Sequence, residues 1–142
     1  MDKEVLFQKC VSFITSVHQA ANDFSQNVKA DSITSVQYKI LEYIYVSTPV
    51  TLSEISECLH ISMPNTSREL KKLSEKNLIE KVIDTEDRRK QYIRLSKDGE
   101  MMMYEAFKTI EAHFLQRLQH ASNEELAEID HALDVLQSKL FY

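Results

Sequence analysis

Residues 51–99 read TLSEISECLHISMPNTSRELKKLSEKNLIEKVIDTEDRRKQYIRLSKDG, and this stretch decides the fold. Thr51 can cap a short helix over 52–59, with Ile55, Cys58 and Leu59 expected to point inward. A link of only His60-Ile61-Ser62 follows. Ser62 is a good N-cap for a second helix, and Pro64 fits its first turn, where no amide donor is needed. That helix is expected to run to Lys76 with Thr66, Leu70 and Leu73 on its buried side. Asn77 stands just past its end, where a left-handed residue is wanted and Asn substitutes for Gly. Two short apolar runs, 78–83 and 91–95, flank the polar link Asp84-Thr85-Glu86-Asp87-Arg88-Arg89-Lys90. That is the pattern of a β-hairpin whose charged tip cannot be core.

Working outward, residues 5 to about 28 read as one long helix. Leu6, Cys10, Phe13, Val17, Ala21, Phe24 and Val28 recur at three- and four-residue steps, and Phe7, Val11 and Ile14 widen the apolar face. Ser32 or Thr34 can cap a helix running to about Val46, with Val36, Ile40, Tyr43 and Ile44 inward, and Pro49 ends it. Downstream, Ser96 caps a long helix to about Gln119, striped by Met101, Tyr104, Phe107, Ile110, Phe114 and Leu118. Ser122 with Glu125 three residues on reads as a capping box, opening a helix striped by Leu126, Ile129, Leu133, Leu136 and Leu140.

Composition narrows the function. At 142 residues the chain has the size of one domain, and 43% apolar with 27% charged residues is a globular balance. Gly99 is the single glycine, which excludes Gly-rich phosphate loops and dinucleotide fingerprints. Cys10 and Cys58 form no CxxC pair and no disulfide framework, which fits a reducing cytoplasm. The start, Met1-Asp2-Lys3-Glu4, is charged, and no stretch approaches the roughly 18 apolar residues of a membrane span. The five histidines are scattered without an HExxH spacing, so neither metal nor cofactor is expected. There is no nucleophile motif, and Glu124, Glu125 and Glu128 read as a solvated helix face. An enzyme is not expected.

The net charge of −5 conceals a polarity. Residues 62–97 hold ten Lys or Arg against six acids, a local balance of +4, whereas residues 100–142 hold three against eight. Local charge decides where an anionic partner docks. Helix, tight link, helix and charged hairpin is the order of a winged helix-turn-helix. Its second helix must enter a major groove about 12 Å wide, so its outward side chains must be polar and not too acidic. Here they are Ser62, Asn65, Ser67, Arg68, Lys71 and Lys72. The hairpin tip carries Arg88, Arg89 and Lys90, and arginine suits a narrow, electronegative minor groove.

Residues 51–99 resemble the MarR family of bacterial transcription regulators. The resemblance rests on Leu52-x-x-Ile55-x-x-x-Leu59, Thr66-Ser67-Arg68-x-Leu70-x-x-Leu73, Leu78-Ile79, Asp87-Arg88-Arg89 and Ile93-x-Leu95-Ser96-x-x-Gly99. Upstream, Thr34-x-x-Gln37-Tyr38 resembles the start of the family's second helix. Asn77 for Gly, Thr66 for an apolar residue and Ser96 for Thr are departures. The resemblance implies one mainly helical domain over 1–142. A winged helix-turn-helix over about 34–97 would lie between dimerisation helices over about 3–28 and 97–140. It implies a homodimer, a repressor on double-stranded DNA, and an effector cleft between the dimerisation helices and the winged part. It places Asn65, Thr66, Ser67 and Arg68 against DNA, has Asp87 orient the wing by pairing with an arginine, and sends Arg89 into the minor groove.

Two alternatives stand beside this reading. One is a winged-helix dimer that binds protein instead of DNA. The other is a thiol sensor. In the family's hydroperoxide-sensing branch a reactive cysteine sits early in the first helix, at the spacing Cys10 has before Tyr38. Where that branch supplies tyrosines this chain has Ile14, Phe24 and Ser35, and only Lys9 stands nearby to favour a thiolate. Cys10 is therefore read as a packed thiol, and Cys58 as core. Met101-Met102-Met103 reads as core with one exposed side chain rather than a pocket, and His18 and His113 as partly buried. The reading predicts that Cys10→Ser keeps wild-type DNA affinity and that peroxide leaves the wild type bound. Release of wild type but not of Cys10→Ser by micromolar organic hydroperoxide, read in a gel shift, would reverse it.

Overall fold

The computed structural model describes residues 1–24 and 33–142. Val28 and Ser32 lie outside the described residues, as does the side chain of Phe24. The chain divides into two compact units, Met1–Ile110 and Glu111–Tyr142. The first holds α1 (Lys3–Phe24), α2 (Ser35–Ser47), α3 (Leu52–Leu59), α4 (Met63–Glu75), β1 (Ile79–Ile83), β2 (Gln91–Leu95) and the start of α5 (Lys97–Leu118). The second holds the end of α5 and α6 (Asn123–Lys139).

Caps set the helix starts. Thr34 opens α2 with a full capping box: its Oγ1 accepts from the Gln37 N–H at 3.1 Å, and the Gln37 Oε1 accepts from the Thr34 N–H at 3.2 Å. Thr51 and Ser62 cap α3 and α4 through their hydroxyl oxygens. Ser122 caps α6 by accepting from the Glu125 N–H at 3.1 Å. That bond is the Ser half of the expected box; the Glu125 carboxylate instead accepts from the Ser122 hydroxyl at 3.4 Å.

The core of the first unit joins Ile40, Leu41 and Ile44 of α2, Ile55 of α3, and Leu70 and Leu73 of α4 to Leu78, Ile79, Ile93 and Leu95 of the hairpin. Met103 and Ala106 of α5 close it. The strands pair antiparallel from Ile79 opposite Leu95 to Ile83 opposite Gln91. Val50 adds a two-bond bridge to Ile93, which ties the α2–α3 link to the sheet. Tyr38 is buried, and its hydroxyl makes no hydrogen bond among the described residues. Burial first, and then the negative charge of Glu42, push its phenol above the ordinary tyrosine value.

Several inward assignments are corrected. The buried stripe of α2 is Gln37, Ile40, Leu41 and Ile44, leaving Val36 exposed and Tyr43 half-buried. On α3 the inward steps are Leu52, Ile55, Ser56 and Leu59, a helical stripe that excludes Cys58, which is exposed. Ser56 is buried because its hydroxyl donates to the Ile61 carbonyl and closes the turn between α3 and α4. His60, left-handed at φ 54°, completes that turn. On α5 the face against the core is Gly99, Met103 and Ala106. Met101, Tyr104 and Phe114 of the expected stripe are exposed. His18 is exposed, not partly buried, whereas His113 is half-buried.

The end of α4, the hairpin and α5 meet at one corner. Asn77 is left-handed at φ 59°, as expected past a helix end. The Ser96 hydroxyl donates to the Asn77 carbonyl at 2.6 Å and accepts from the Gly99 N–H at 3.0 Å, while the Ser96 N–H donates to the Leu78 carbonyl at 3.0 Å. A Cβ on Gly99 would stand 2.1 Å from that same Leu78 oxygen. Gly99→Ala must therefore move backbone, and is expected to destabilise by about 1–3 kcal/mol although alanine favours helix. Urea unfolding of the two proteins checks this, and equal midpoints would contradict it.

Candidate nucleic-acid interface

The amphipathic division of α4 follows from its sequence. Thr66, Leu70 and Leu73 recur at four- and three-residue steps and pack into the core, so the intervening side chains must face outward. Ser62, Asn65, Ser67, Arg68, Lys71 and Lys72 are all exposed, and Met63 joins them on the first turn. The helix start is rigid because the Ser62 Oγ accepts from the Asn65 N–H at 3.2 Å and Pro64 needs no donor partner. Thr66 is a correction. It is 0% exposed, and its hydroxyl donates to the Ser62 carbonyl at 2.9 Å, so it reaches no groove. Its departure from an apolar residue is absorbed by that one bond.

The hairpin tip is organised by two aspartates. The Asp84 carboxylate accepts from the Glu86 N–H at 2.9 Å, and the strand ends are joined by the Asp84 N–H donating to the Lys90 carbonyl at 3.1 Å. Asp87 Oδ1 accepts from both the backbone N–H of Arg89 at 3.1 Å and its side-chain Nε–H at 3.2 Å. The arginine that Asp87 holds is thus the neighbouring Arg89, whose side chain stays 92% exposed. Arg88 and Lys90 are exposed beside it. Further down the hairpin Arg94 and Glu80, directly opposite in register, form an ion pair at 3.0 Å.

Other singled-out residues fall apart from these. Cys10 is half-buried on α1 and Cys58 exposed on α3, and both are free thiols. Met101, Met102 and Met103 run from exposed to half-buried to fully buried along one turn. Met101 and Tyr104 nonetheless line a cleft of about 500 Å³ with Ile44, Tyr45, Thr48, Leu95, Lys97 and Glu100. Beside it the rings of Tyr45 and Phe107 stack with centroids 5.1 Å apart. Sequence reasoning named Gln37 only in the resemblance and gave it no site role, yet it is buried at a position where the helical stripe calls for an apolar residue. An amide on an otherwise apolar stripe was the available signal.

Comparison with known proteins agrees with this geometry. The family model of the MarR family matches residues 33–90. The uncharacterized HTH-type transcriptional regulator YsmB of Bacillus subtilis is 25% identical over 109 residues, covering 77% of this chain and 75% of that one. Among solved structures, a MarR family protein from Bacillus stearothermophilus superposes with a TM-score of 0.78 at 19% identity, covering 100% of this chain and 99% of that chain. Streptococcus pneumoniae FabT, solved in complex with DNA, gives a TM-score of 0.68 at 22% identity, covering 94% and 96%. Among the described residues no helix is long and apolar enough to cross a membrane. Residues 33–90 therefore resemble the MarR family, and the chain carries the winged helix-turn-helix fold of the MarR family structures it superposes on.

Proposed function

We propose that this protein is a DNA-binding transcription regulator that acts as a homodimer on an inverted-repeat operator, represses from it, and is released by a small molecule. The observation that carries the proposal is the face of α4. Six polar or basic side chains without an acid among them, Ser62, Asn65, Ser67, Arg68, Lys71 and Lys72, stand exposed on a capped, core-anchored helix. That is the chemistry a major groove accepts. The arginines of the wing supply the complementary minor-groove contact, and FabT in its DNA complex shares the fold.

Apolar side chains left exposed on α1 (Leu6, Phe7, Val11, Phe13, Val17) and on α6 (Leu126, Ile129, Leu133, Leu140) support the homodimer. Singly exposed apolar residues are ordinary, but runs at helical spacing mark a covered face. The cleft lined by α2, Leu95 and the first turns of α5 supports the effector. Its size is within the range of small-molecule pockets, and Lys97 and Glu100 supply polar anchors among Ile44, Leu95 and Met101.

Sedimentation of the full chain at micromolar concentration should give a dimer, and a stable monomer would remove the two-fold operator. A dimer places two α4 helices in successive major grooves, so half-sites should be centred about 10 base pairs apart or a multiple of that. Arg68→Ala should cost roughly 1–3 kcal/mol per site and relax one position per half-site. Arg89→Ala should weaken specific and non-specific DNA alike and flatten the log–log salt slope by about 2 units at most per dimer. Asp87→Ala separates positioning from charge. Deleting a negative charge would by itself strengthen DNA binding, so a weaker complex is expected only because Arg89 loses its anchor. Fluorescence anisotropy against salt measures all three variants. Wild-type behaviour of Arg89→Ala would favour the protein-binding alternative.

A further inference from the structure

The buried stripe of α2 is apolar except at Gln37, which is only 2% exposed. A buried amide is costly unless every end of it is bonded. Here both ends are bonded, and to opposite charges. Gln37 Oε1 accepts from Lys76 Nζ at 3.0 Å as well as from the Thr34 N–H, and Gln37 Nε2 donates to Glu69 Oε2 at 3.0 Å. The other Glu69 oxygen lies 3.6 Å from Lys72 Nζ. Charge therefore alternates along one chain of contacts: ammonium, amide oxygen, amide nitrogen, carboxylate, ammonium. The amide cannot flip without setting its oxygen against a carboxylate and its NH2 against an ammonium.

Glu69 lies on α4 and Lys76 caps its end about two turns on, so a single side chain of α2 grips the helix at two points along about 10 Å of its axis. Hydrophobic contact through Leu70 and Leu73 is non-directional and leaves roll and tilt loosely specified. Two oriented, charge-assisted bonds specify them. The grip also holds the Glu69 carboxylate against α2 and Lys72. Without it, a negative charge would swing free beside Arg68 and Lys71.

We propose that Gln37 is a positioning residue for DNA recognition, its buried amide fixing how α4 lies on α2 and restraining the Glu69 carboxylate. The inference rests on the DNA-binding reading above. The test uses the full-length protein, fluorescein-labelled duplexes tiling its own upstream DNA, and a mixed-sequence duplex of equal length. Circular dichroism follows the stability of each variant.

Losing two bonds to charged partners should lower specific affinity about tenfold or more in Gln37→Leu, while mixed-sequence affinity moves less than about threefold. Gln37→Glu sets a second carboxylate against Glu69 and should be at least as damaging. Adding Glu69→Gln to it reverses the polarity of the pair: the new carboxylate accepts from Lys76 and from the amide now at position 69. The double variant should return to within about threefold of wild type. A merely structural role would instead lower both affinities in proportion to thermal stability and show no rescue by the swap. Wild-type discrimination in Gln37→Leu, or a double variant as weak as Gln37→Glu, overturns the proposal. If Gln37→Leu fails to fold, Lys76→Met at an exposed position removes one grip point and must itself reduce discrimination. A wild type that binds no duplex refutes the DNA-binding reading and this inference together. A discriminating wild type with an indifferent Gln37→Leu refutes this inference alone.

Discussion

The Leu78 carbonyl is the point on which the winged part turns. It accepts the Ser96 N–H at 3.0 Å and occupies the space a side chain at Gly99 would need. Leu78 also donates its N–H back to Leu73 at 3.0 Å, so the same residue terminates α4. One residue thus joins the recognition helix, the first strand of the wing and the start of α5. Asn77 completes the corner: its carbonyl takes the Ser96 hydroxyl, and its side chain donates to Asp98 at 3.2 Å. A chain with one glycine has placed it at a contact where even a methyl group would be refused.

Three of the six acids within the basic stretch 62–97 are used as struts. Glu69, Glu80 and Asp87 would each repel a phosphate backbone if free. Glu69 is held between Gln37 and Lys72, Glu80 by Arg94, and Asp87 by Arg89. Exposed pairs of this kind contribute little to stability, about 0–1 kcal/mol each. Their larger effect is geometric, because they decide where Lys72, Arg94 and Arg89 can point. A local balance of +4 thus holds with six acids in the stretch, three of them tied to basic side chains or to Gln37.

What the sequence made legible was local. Thr34, Thr51, Ser62 and Ser122 cap helices through bonds to residues three positions away, and Asn77 takes its left-handed conformation from the chain around it. Such features need no tertiary partner and can be read one turn at a time. Val36 and Cys58 were misplaced because an apolar residue next to a stripe differs from one on it by a single step of 100°. Gln37 and Ser56 received no inward assignment, and Thr66, read on the buried side, was also placed against DNA by the resemblance. Each is polar, and each is buried because a specific partner satisfies it: Glu69 with Lys76, the Ile61 carbonyl, and the Ser62 carbonyl. Hydropathy carries no trace of a partner 32 or 39 positions away.

The stripe of α5 misled for a different reason. Met101, Tyr104 and Phe114 recur at helical spacing, yet the core takes Gly99, Met103 and Ala106. A helix with apolar residues on two sides has two jobs, and the small-residue side is the one that permits close packing on the sheet corner. The same logic applies to α6, which buries none of its 17 residues within the chain. Most of a helix's stability in a protein comes from packing its apolar face rather than from intrinsic propensity. An amphipathic helix with Leu126, Ile129, Leu133 and Leu140 exposed gains its stability only when that stripe is covered. Burying such leucines and isoleucines contributes about 1.5–3 kcal/mol for each side chain fully covered. Four of them on each of two chains are of the size needed to offset the roughly 4–15 kcal/mol that association costs in lost freedom. α6 therefore follows a different rule from the winged part. The winged part's core closes within one chain, and the stripe of α6 closes against the second copy we propose.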